Sequence, residues 1–435
     1  MRAHLGFAGV FGLSLSGLTL IGCCGCSKTE TADKGSSPAQ SPASSDVQSL
    51  LDKAKTHLQQ KQWQPALVSL TEAIKLDPKC ADAFFLRGSL LADVGQITAA
   101  LSDFQHSIEL SPKDAKLRHT RGFLLMTQKQ FAAAIADFTA AIEIDPKYLQ
   151  AYNNRGLARL THGDREKALA DFDQALQIDP KYVEALINRG FAAYQTGQHK
   201  RAIADYDQAL KLNANNINAL NNRGLAYFGL KNYEQAAVDF TQAIARDRYN
   251  AKFYLERREC YRKLGRNDEA QDDAAKVAWL GKLNELNRSV AQEPKQPSNY
   301  VERAEHLLSG GEQRIGLANY ETAIQVKPDY GKSYSSRAAF WLSQREYDKA
   351  IADCERALQV EPHFEAYSTR GDAFFYKGNF DRAIADYLKA KRLDPQVAQA
   401  YLLRAKARTA AGQQEAAAKD LKQAYAIDPS LRAEE

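Results

Sequence analysis

The sequence has few cysteines beyond its first 26 residues. Of six cysteines in 435 residues, three lie at positions 23, 24 and 26, and the others are Cys80, Cys260 and Cys354. Three scattered thiols are too few for a disulfide framework or a zinc site, which excludes a small disulfide-rich domain. We therefore expect neither a metal site nor a cofactor.

The sequence also lacks a strong excess of one charge. It has 58 Lys and Arg against 53 Asp and Glu, a net charge of +5, which is too small for a typical nucleic-acid-binding protein. With 44% apolar and 26% charged residues, the chain is neither largely disordered nor a polytopic membrane protein. It has no Gly-x-Ser-x-Gly elbow, phosphate-binding loop or His-Glu-x-x-His motif, so we do not expect an enzyme.

An uncharged run of apolar and small residues lies near the N-terminus, at positions 5–22. Small residues end the run and no basic cluster follows it, which favours a secretory signal over a membrane-spanning helix. The residues that end it, Leu20-Ile21-Gly22-Cys23, resemble the lipobox of bacterial lipoproteins. The resemblance implies cleavage before Cys23 and lipid attachment to its thiol, and several acyl chains hold a protein stably at a membrane.

The first 46 residues are thus expected to direct and anchor the protein. Residues 1–22 are predicted to be the signal peptide, and residues 23–46 a lipidated cysteine with a flexible linker. The linker is rich in Ser, Ala and Pro, and its residues 29–46 contain no aliphatic residue larger than Ala, so it cannot bury enough apolar surface to become ordered. Cys24 is not the aspartate that retains some lipoproteins in the inner membrane, which slightly favours the outer membrane.

From Val47 onwards the sequence repeats. Prolines recur at 78, 112, 146 and 180, and again at 294, 328, 362, 395 and 429. The spacing of 34 residues, once 33, is the length of a helix–turn–helix repeat, and within each unit apolar residues recur at the helical spacings of three and four. Eleven units fit, beginning at 47, 81, 115, 149, 183, 217, 251, 297, 331, 364 and 398.

Small residues and turn residues recur within the units. Glycine stands on first helices, as at Gly190, and alanine twelve residues later on second helices, as at Ala202. We expect these small residues to lie opposite each other where the two helices nearly touch. Between the two helices of the fourth unit, Gly163 and Asp164 predict a helix C-cap followed by an N-cap.

These units resemble tetratricopeptide repeats over residues 47 to about 429. The resemblance implies an all-α fold, a right-handed superhelical solenoid of about eleven antiparallel helix hairpins. It also implies a concave groove, lined by first helices, that binds peptides or helices of partner proteins and carries no chemistry of its own.

The period is interrupted in the seventh unit, where residues 281–294 continue twelve residues beyond it. Their composition favours helix, so the second helix is predicted to run on for about 18 Å before Pro294 stops it. The extension is either a tolerated insertion or a joint between two arrays. We place the domain boundary near Gln292, with seven repeats in residues 47–292 and four in residues 293–435.

Nine units have an arginine followed sixteen residues later by an aspartate. We expect ion pairs, formed within a unit or across to the next one. The alternative is a cationic stripe for an anionic polymer, which the accompanying aspartates would neutralise. Central examples are Arg155 with Asp171, Arg189 with Asp205, and Arg223 with Asp239.

The family resemblance places a set of apolar and amide side chains in the groove. Asn154, Asn188 and Asn222 recur among them at intervals of 34 residues. Such amides can donate to and accept from a ligand backbone, or they can serve local structure, and the sequence leaves both possibilities open. The predicted groove residues are Phe123, Asn153, Asn154, Leu157, Asn188, Phe191, Tyr194, Asn221, Asn222 and Phe228.

These features together predict a lipid-anchored adaptor or scaffold of the bacterial cell envelope. It would face the periplasm or the exterior and bind envelope proteins or peptides, with no nucleic-acid partner. Two alternatives remain: an accessory factor for export or assembly of a surface polysaccharide, and a regulatory arm of a separate envelope enzyme.

Overall fold

The computed structural model describes residues 42–434, and this part of the chain contains helices and no strand. Odd-numbered helices below are the first helices of the predicted repeats and even-numbered helices are the second helices. The signal peptide, Cys23 and linker residues 23–41 lie outside the described residues. The helices in chain order are α1 (Pro42–Gln59), α2 (Trp63–Leu76), α3 (Ala81–Asp93), α4 (Ile97–Leu110), α5 (Ala115–Thr127), α6 (Phe131–Ile144), α7 (Leu149–His162), α8 (Arg165–Ile178), α9 (Val183–Gln195), α10 (His199–Leu212), α11 (Ile217–Gly229), α12 (Tyr233–Arg246), α13 (Ala251–Lys263), α14 (Asn267–Gln292), α15 (Pro297–Ser309), α16 (Gln313–Val326), α17 (Gly331–Ser343), α18 (Tyr347–Val360), α19 (Phe364–Tyr376), α20 (Phe380–Lys389), α21 (Pro395–Ala410), α22 (Gln414–Ile427) and a terminal 3-10 helix (Pro429–Glu434).

The chain divides into two compact units, the first ending at Gln271 and the second beginning at Asp272. In the first unit α1–α12 pack as six consecutive hairpins, and in the second α15–α22 pack as four. The predicted all-α solenoid of antiparallel helix hairpins is confirmed. The division falls inside α14, and the boundary near Gln292 stays a prediction. Among the described helices, none combines the length and the apolar character needed to cross a bilayer.

Most first helices begin where the proline period predicts, but α1 and α21 begin earlier. Helix α1 begins at Pro42, five residues before the predicted start at Val47, so residues 42–46 of the predicted linker are helical. Proline suits the first turn of a helix, where its missing N–H has no partner to lose. Helix α21 begins at Pro395, where Asp394 accepts hydrogen bonds from the backbone N–H groups of Gln396 and Val397.

Second helices are mostly 14 residues long, with two exceptions. Helix α20 has only ten residues and ends at Lys389, shortly before Lys391 takes a left-handed φ of 54°. Helix α14 has 26 residues, as the sequence predicts. Its extension buries Leu280, Leu283, Leu286 and Val290, a helical stripe that packs the added turns against the second unit's core.

The hairpin turns depend on one residue with a left-handed backbone. Gly163 has φ 106° and ends α7, as predicted. Asp164 precedes α8, but its side chain accepts no hydrogen bond from the helix, so the predicted side-chain cap is wrong. Its ψ of 67° departs from the extended conformation in which an N-cap side chain reaches the first turn.

Aromatic rings fill the space beside the glycines of the first helices. A Cβ added at Gly190 would lie 2.8 Å from Cε1 of Tyr206, and one at Gly156 would lie 2.7 Å from Cε1 of Phe172. The expectation that alanines such as Ala202 lie opposite the glycines is therefore wrong, because a ring sixteen residues later occupies that gap. These rings are fully buried, so each hairpin is fixed by a large apolar contact.

Candidate binding face

Each central repeat contains the expected arginine–aspartate pair within one hairpin. The Nη2–Oδ1 distances are 2.7 Å for Arg155–Asp171, 2.5 Å for Arg189–Asp205 and 2.6 Å for Arg223–Asp239. The aspartate side chains are at most 5% exposed and the arginines at most 21%. The same pair forms in five further repeats, at Arg87–Asp103, Arg121–Asp137, Arg337–Asp353, Arg370–Asp386 and Arg404–Asp420.

The arginines also reach the preceding hairpin. Arg189 donates through Nη1 to Oδ1 of Asp173 at 2.7 Å, and Arg223 donates to Asp207 at 2.6 Å. Each guanidinium therefore joins two repeats, and the pairs lie both within and across units. Sequence reasoning missed these second acceptors. The signal is an oxygen-bearing side chain two residues after each paired aspartate, at Gln105, Thr139, Asp173, Asp207 and Thr241.

Burial and pairing oppose each other at these carboxylates. Burial raises the pKa of Asp239 above its ordinary value, and the hydrogen bond from Arg223 lowers it in part. The same hydrogen bond raises the pKa of Arg223, so its guanidinium stays charged. Such a pair adds modest net stability, but losing one partner is costly because the other charge stays buried.

The predicted groove residues lie on α5, α7, α9 and α11, and they divide by exposure. Four are buried in the chain itself, namely Phe123, Asn153, Leu157 and Asn221. We call the other six, which are half-buried, the first-helix face. They are Asn154, Asn188, Phe191, Tyr194, Asn222 and Phe228.

The aromatic rings of the first-helix face are held by packing. The Tyr194 ring lies 5.3 Å from the His199 ring, and the Phe228 ring lies 5.1 Å from the Tyr233 ring in an edge-to-face arrangement. Phe191 packs against the cluster around Phe172. Each ring therefore offers a fixed apolar edge, with little side-chain freedom to lose when a ligand binds.

Amide side chains form a continuous chain of hydrogen bonds across three first helices. Asn188 donates through Nδ2 to Oδ1 of Asn153 at 2.9 Å, and Asn153 donates to Oδ1 of Asn154 at 3.2 Å. Asn154 in turn donates to Nε2 of His119 at 3.0 Å. Burial lowers the pKa of His119 to about 4, so its ring is neutral and can accept. The donors of Asn154 and Asn188 thus join neighbouring repeats.

The next repeat breaks this chain. Asn221 donates to Oδ1 of Asn222 at 3.2 Å, but its own Oδ1 is buried and accepts no hydrogen bond within residues 42–434. In that part of the chain, no three His, Cys, Asp or Glu side chains cluster as metal ligands. The face therefore combines apolar edges, amides and one unused buried acceptor.

Models of one repeat family match the chain along most of its helical part. Tetratricopeptide repeat models match residues 54–119, 149–182, 217–250 and 398–431. A TPR repeat model matches residues 124–163, 192–231 and 371–408. Together they cover more than half of the chain. The chain belongs to the tetratricopeptide repeat family. Residues 251–370 of this tetratricopeptide repeat protein are unmatched, yet α15–α18 there form the same hairpins.

Solved structures share this repeat fold at low identity. PilF of Pseudomonas aeruginosa is 18% identical, with 50% of this chain and 97% of that chain covered at a TM-score of 0.44. PilW, a type IV pilus biogenesis factor, is 20% identical, with 50% and 99% covered at 0.44. A tetratricopeptide repeat protein from Parabacteroides merdae ATCC 43184 is 19% identical, with 65% and 94% covered at 0.35. Among curated proteins, none matches this chain.

Tetratricopeptide repeats are typically non-catalytic scaffolds for protein interactions. The fold of this protein is consistent with that role, and the first-helix face supplies both apolar and hydrogen-bonding side chains. The repeat family fixes the scaffold, whereas the partner depends on the side chains that each repeat presents.

Proposed function

We propose that this tetratricopeptide repeat protein is a lipid-anchored adaptor of the bacterial cell envelope. Its first-helix face binds an extended peptide or a helix of a partner protein. The observation that carries the proposal is the row of fixed aromatic edges at Phe191, Tyr194 and Phe228, set beside half-buried amides on successive first helices.

Rigidity and charge pairing support this function. Arginines such as Arg189 join adjacent hairpins, and the amide chain from Asn188 to His119 joins three first helices. A rigid face loses little conformational entropy on binding. The guanidinium groups are already paired with buried carboxylates, which favours an apolar and amide-mediated contact over binding of an anionic polymer.

The anchor is proposed from the sequence Leu20-Ile21-Gly22-Cys23. Replacing Cys23→Ser in the full chain should move the protein from the membrane fraction to the soluble fraction, because the lipid attachment site is lost. The matched control is Cys80→Ser, which removes a thiol from the repeat region and should leave fractionation unchanged. Continued membrane association of the Cys23→Ser variant would contradict the anchor.

The binding face is tested by a double substitution, Asn188→Ala with Phe191→Ala. It removes an amide and an aromatic edge, and interface aromatics commonly carry a large share of binding energy. Capture of partner proteins from detergent-solubilised envelopes should fall at least tenfold, while helical circular dichroism stays unchanged. The matched control places Gln174→Ala with Gln177→Ala on the exposed side of α8 and should capture partners normally.

The captured material also separates the alternatives. Peptides or proteins that depend on Phe191 support the adaptor. Recovery of a surface glycan that ignores the double substitution would favour the polysaccharide accessory factor. Recovery of one envelope enzyme whose rate changes on binding would favour the regulatory arm.

A further inference from the structure

A fixed sequence offset pairs side chains across neighbouring first helices. Asn154 donates to His119 and Asn188 donates to Asn153, and in both cases the partner lies 35 residues earlier. One position in each repeat thus supplies a donor to the first helix before it. The equivalent position in α13 is Glu256, and the residue 35 positions before it is Asn221 in α11.

At this position the donor is replaced by an acceptor. Asn221 is 7% exposed, its amide nitrogen is used by Asn222, and its Oδ1 is buried with no hydrogen-bond partner among the described residues. The half-buried Glu256 side chain forms no hydrogen bond or ion pair within residues 42–434. An ionised carboxylate offers only acceptors. The register therefore brings two acceptors together where the other repeats have a donor and an acceptor.

We propose that Asn221 and Glu256 form a subsite for a cationic group of the partner, the ammonium of a lysine or the guanidinium of an arginine. This inference rests on the proposed function, because the cation is carried by a peptide lying on the first-helix face. Such a group supplies the N–H donors that both oxygens lack, and charge-assisted hydrogen bonds are roughly twice as strong as neutral ones.

The surroundings of Glu256 suit this role. Burial raises the pKa of its carboxyl, Lys252 one turn earlier lowers it, and Glu259 raises it. Glu259 is itself paired with Arg258 and Arg262 on the exposed side of α13. The paired Glu259 is therefore less available to an incoming cation than Glu256.

An aromatic ring completes the approach to the subsite. Burial raises the pKa of Tyr194 in α9, and the charge of Glu256 raises it further, which places the two side chains within electrostatic reach of each other. A cation near Glu256 can also interact with an aromatic face. The subsite continues the first-helix face towards α13, so the favoured ligand has apolar side chains for Phe191 and Phe228, followed by a basic residue.

The test uses a phage-displayed library of random 12-residue peptides, selected on the full chain in detergent. Selected peptides should be enriched in a lysine or arginine at a fixed distance from apolar residues. Their dissociation constants are then measured with the wild type, Glu256→Gln, and the matched control Glu259→Gln. We expect roughly tenfold to hundredfold weaker binding for Glu256→Gln and less than a twofold change for Glu259→Gln.

A peptide in which the basic residue is replaced by glutamine closes a double-mutant cycle. It should bind the wild type as weakly as the parent peptide binds Glu256→Gln, and it should lose nothing further with that variant. The thermal midpoint checks folding. Because the glutamine amide can donate to Asn221 as Asn188 does to Asn153, the Glu256→Gln midpoint should equal or exceed that of the wild type.

The outcomes separate this subsite from the proposed function. If selected peptides are weakened by the Asn188→Ala and Phe191→Ala pair but bind Glu256→Gln normally, the subsite is overturned and the adaptor function stands. That result would mean that Glu256 and Asn221 already hydrogen-bond to each other, through a protonated carboxyl or a turned amide. If the selected peptides ignore the double substitution, the proposed function itself fails.

Discussion

Replacement of Arg189 by alanine should destabilise the repeats around α9. The guanidinium donates to Asp205 in its own hairpin at 3.0 and 2.5 Å and to Asp173 in the preceding hairpin at 2.7 Å. Alanine removes all three bonds and leaves the Asp205 carboxylate, whose side chain is 5% exposed, buried without a partner.

The size of the loss follows from these exposures. Removing one partner of a fully buried pair costs about 3–5 kcal/mol. Arg189 is 21% exposed, so water reaches the site in part, and we expect about 2–4 kcal/mol. The contact with Asp173 contributes little, because that carboxylate is 39% exposed and exposed pairs are weak.

Hydrogen exchange is the appropriate assay, since repeat arrays do not unfold as a single two-state unit. Amides of α8–α10 in Arg189→Ala should exchange roughly 30-fold to 1000-fold faster, with little change in α1–α3. Arg189→Lys keeps the charge but cannot bridge both carboxylates, so it should show a smaller loss. The double replacement Arg189→Met with Asp205→Leu should recover most of the protection.

The reasoning is refuted if Arg189→Ala exchanges and melts like the wild type. It is also refuted if the double replacement is less stable than Arg189→Ala, because the cost would then come from lost attraction and not from an uncompensated carboxylate.

Three further predictions concern positions with an unusual environment. Since the pKa of His119 falls to about 4 in the fold and is ordinarily 6.5, the unfolded chain binds a proton that the native chain does not. Stability should therefore fall as the pH drops from 6.5 to 4, by about 3 kcal/mol, and the pH profile of urea unfolding should be flatter in His119→Gln. Gly190→Ala should lower the melting temperature through contact with the Tyr206 ring, by about 1–2 kcal/mol, whereas Gly281→Ala, with nothing within 4 Å, should stabilise by about 0.5–1 kcal/mol. Lys231→Gly should stabilise by about 0.5 kcal/mol, because Lys231 has a φ of 62°; an unchanged melting temperature would contradict the strain argument.

The helix pattern was predictable because local physics determines it. Proline at 34-residue intervals and apolar residues at spacings of three and four fix where most first helices begin. The early starts at Pro42 and Pro395 depend on local capping, and the short α20 depends on the left-handed backbone at Lys391. None of these features changes the period, so the period could not reveal them.

Side-chain partners were less predictable, because they depend on how neighbouring helices rotate against each other. The sixteen-residue spacing identifies Asp205 for Arg189, but the contact with Asp173 requires the geometry of the adjacent repeat. The recurrence of Asn154 and Asn188 is visible in the sequence, yet only the structure shows that their amides donate to the preceding first helix. Glu256 was missed since its register matters only once that donor role is known.

The most direct test of the adaptor function is site-specific photocrosslinking in cells. A photoreactive phenylalanine analogue is placed at Phe191 on the first-helix face or at Gln174 on the exposed side of α8. The account predicts that position 191 crosslinks to a discrete envelope protein, and that position 174 does not. Equal crosslinking from both positions, or from position 174 alone, would contradict the binding face.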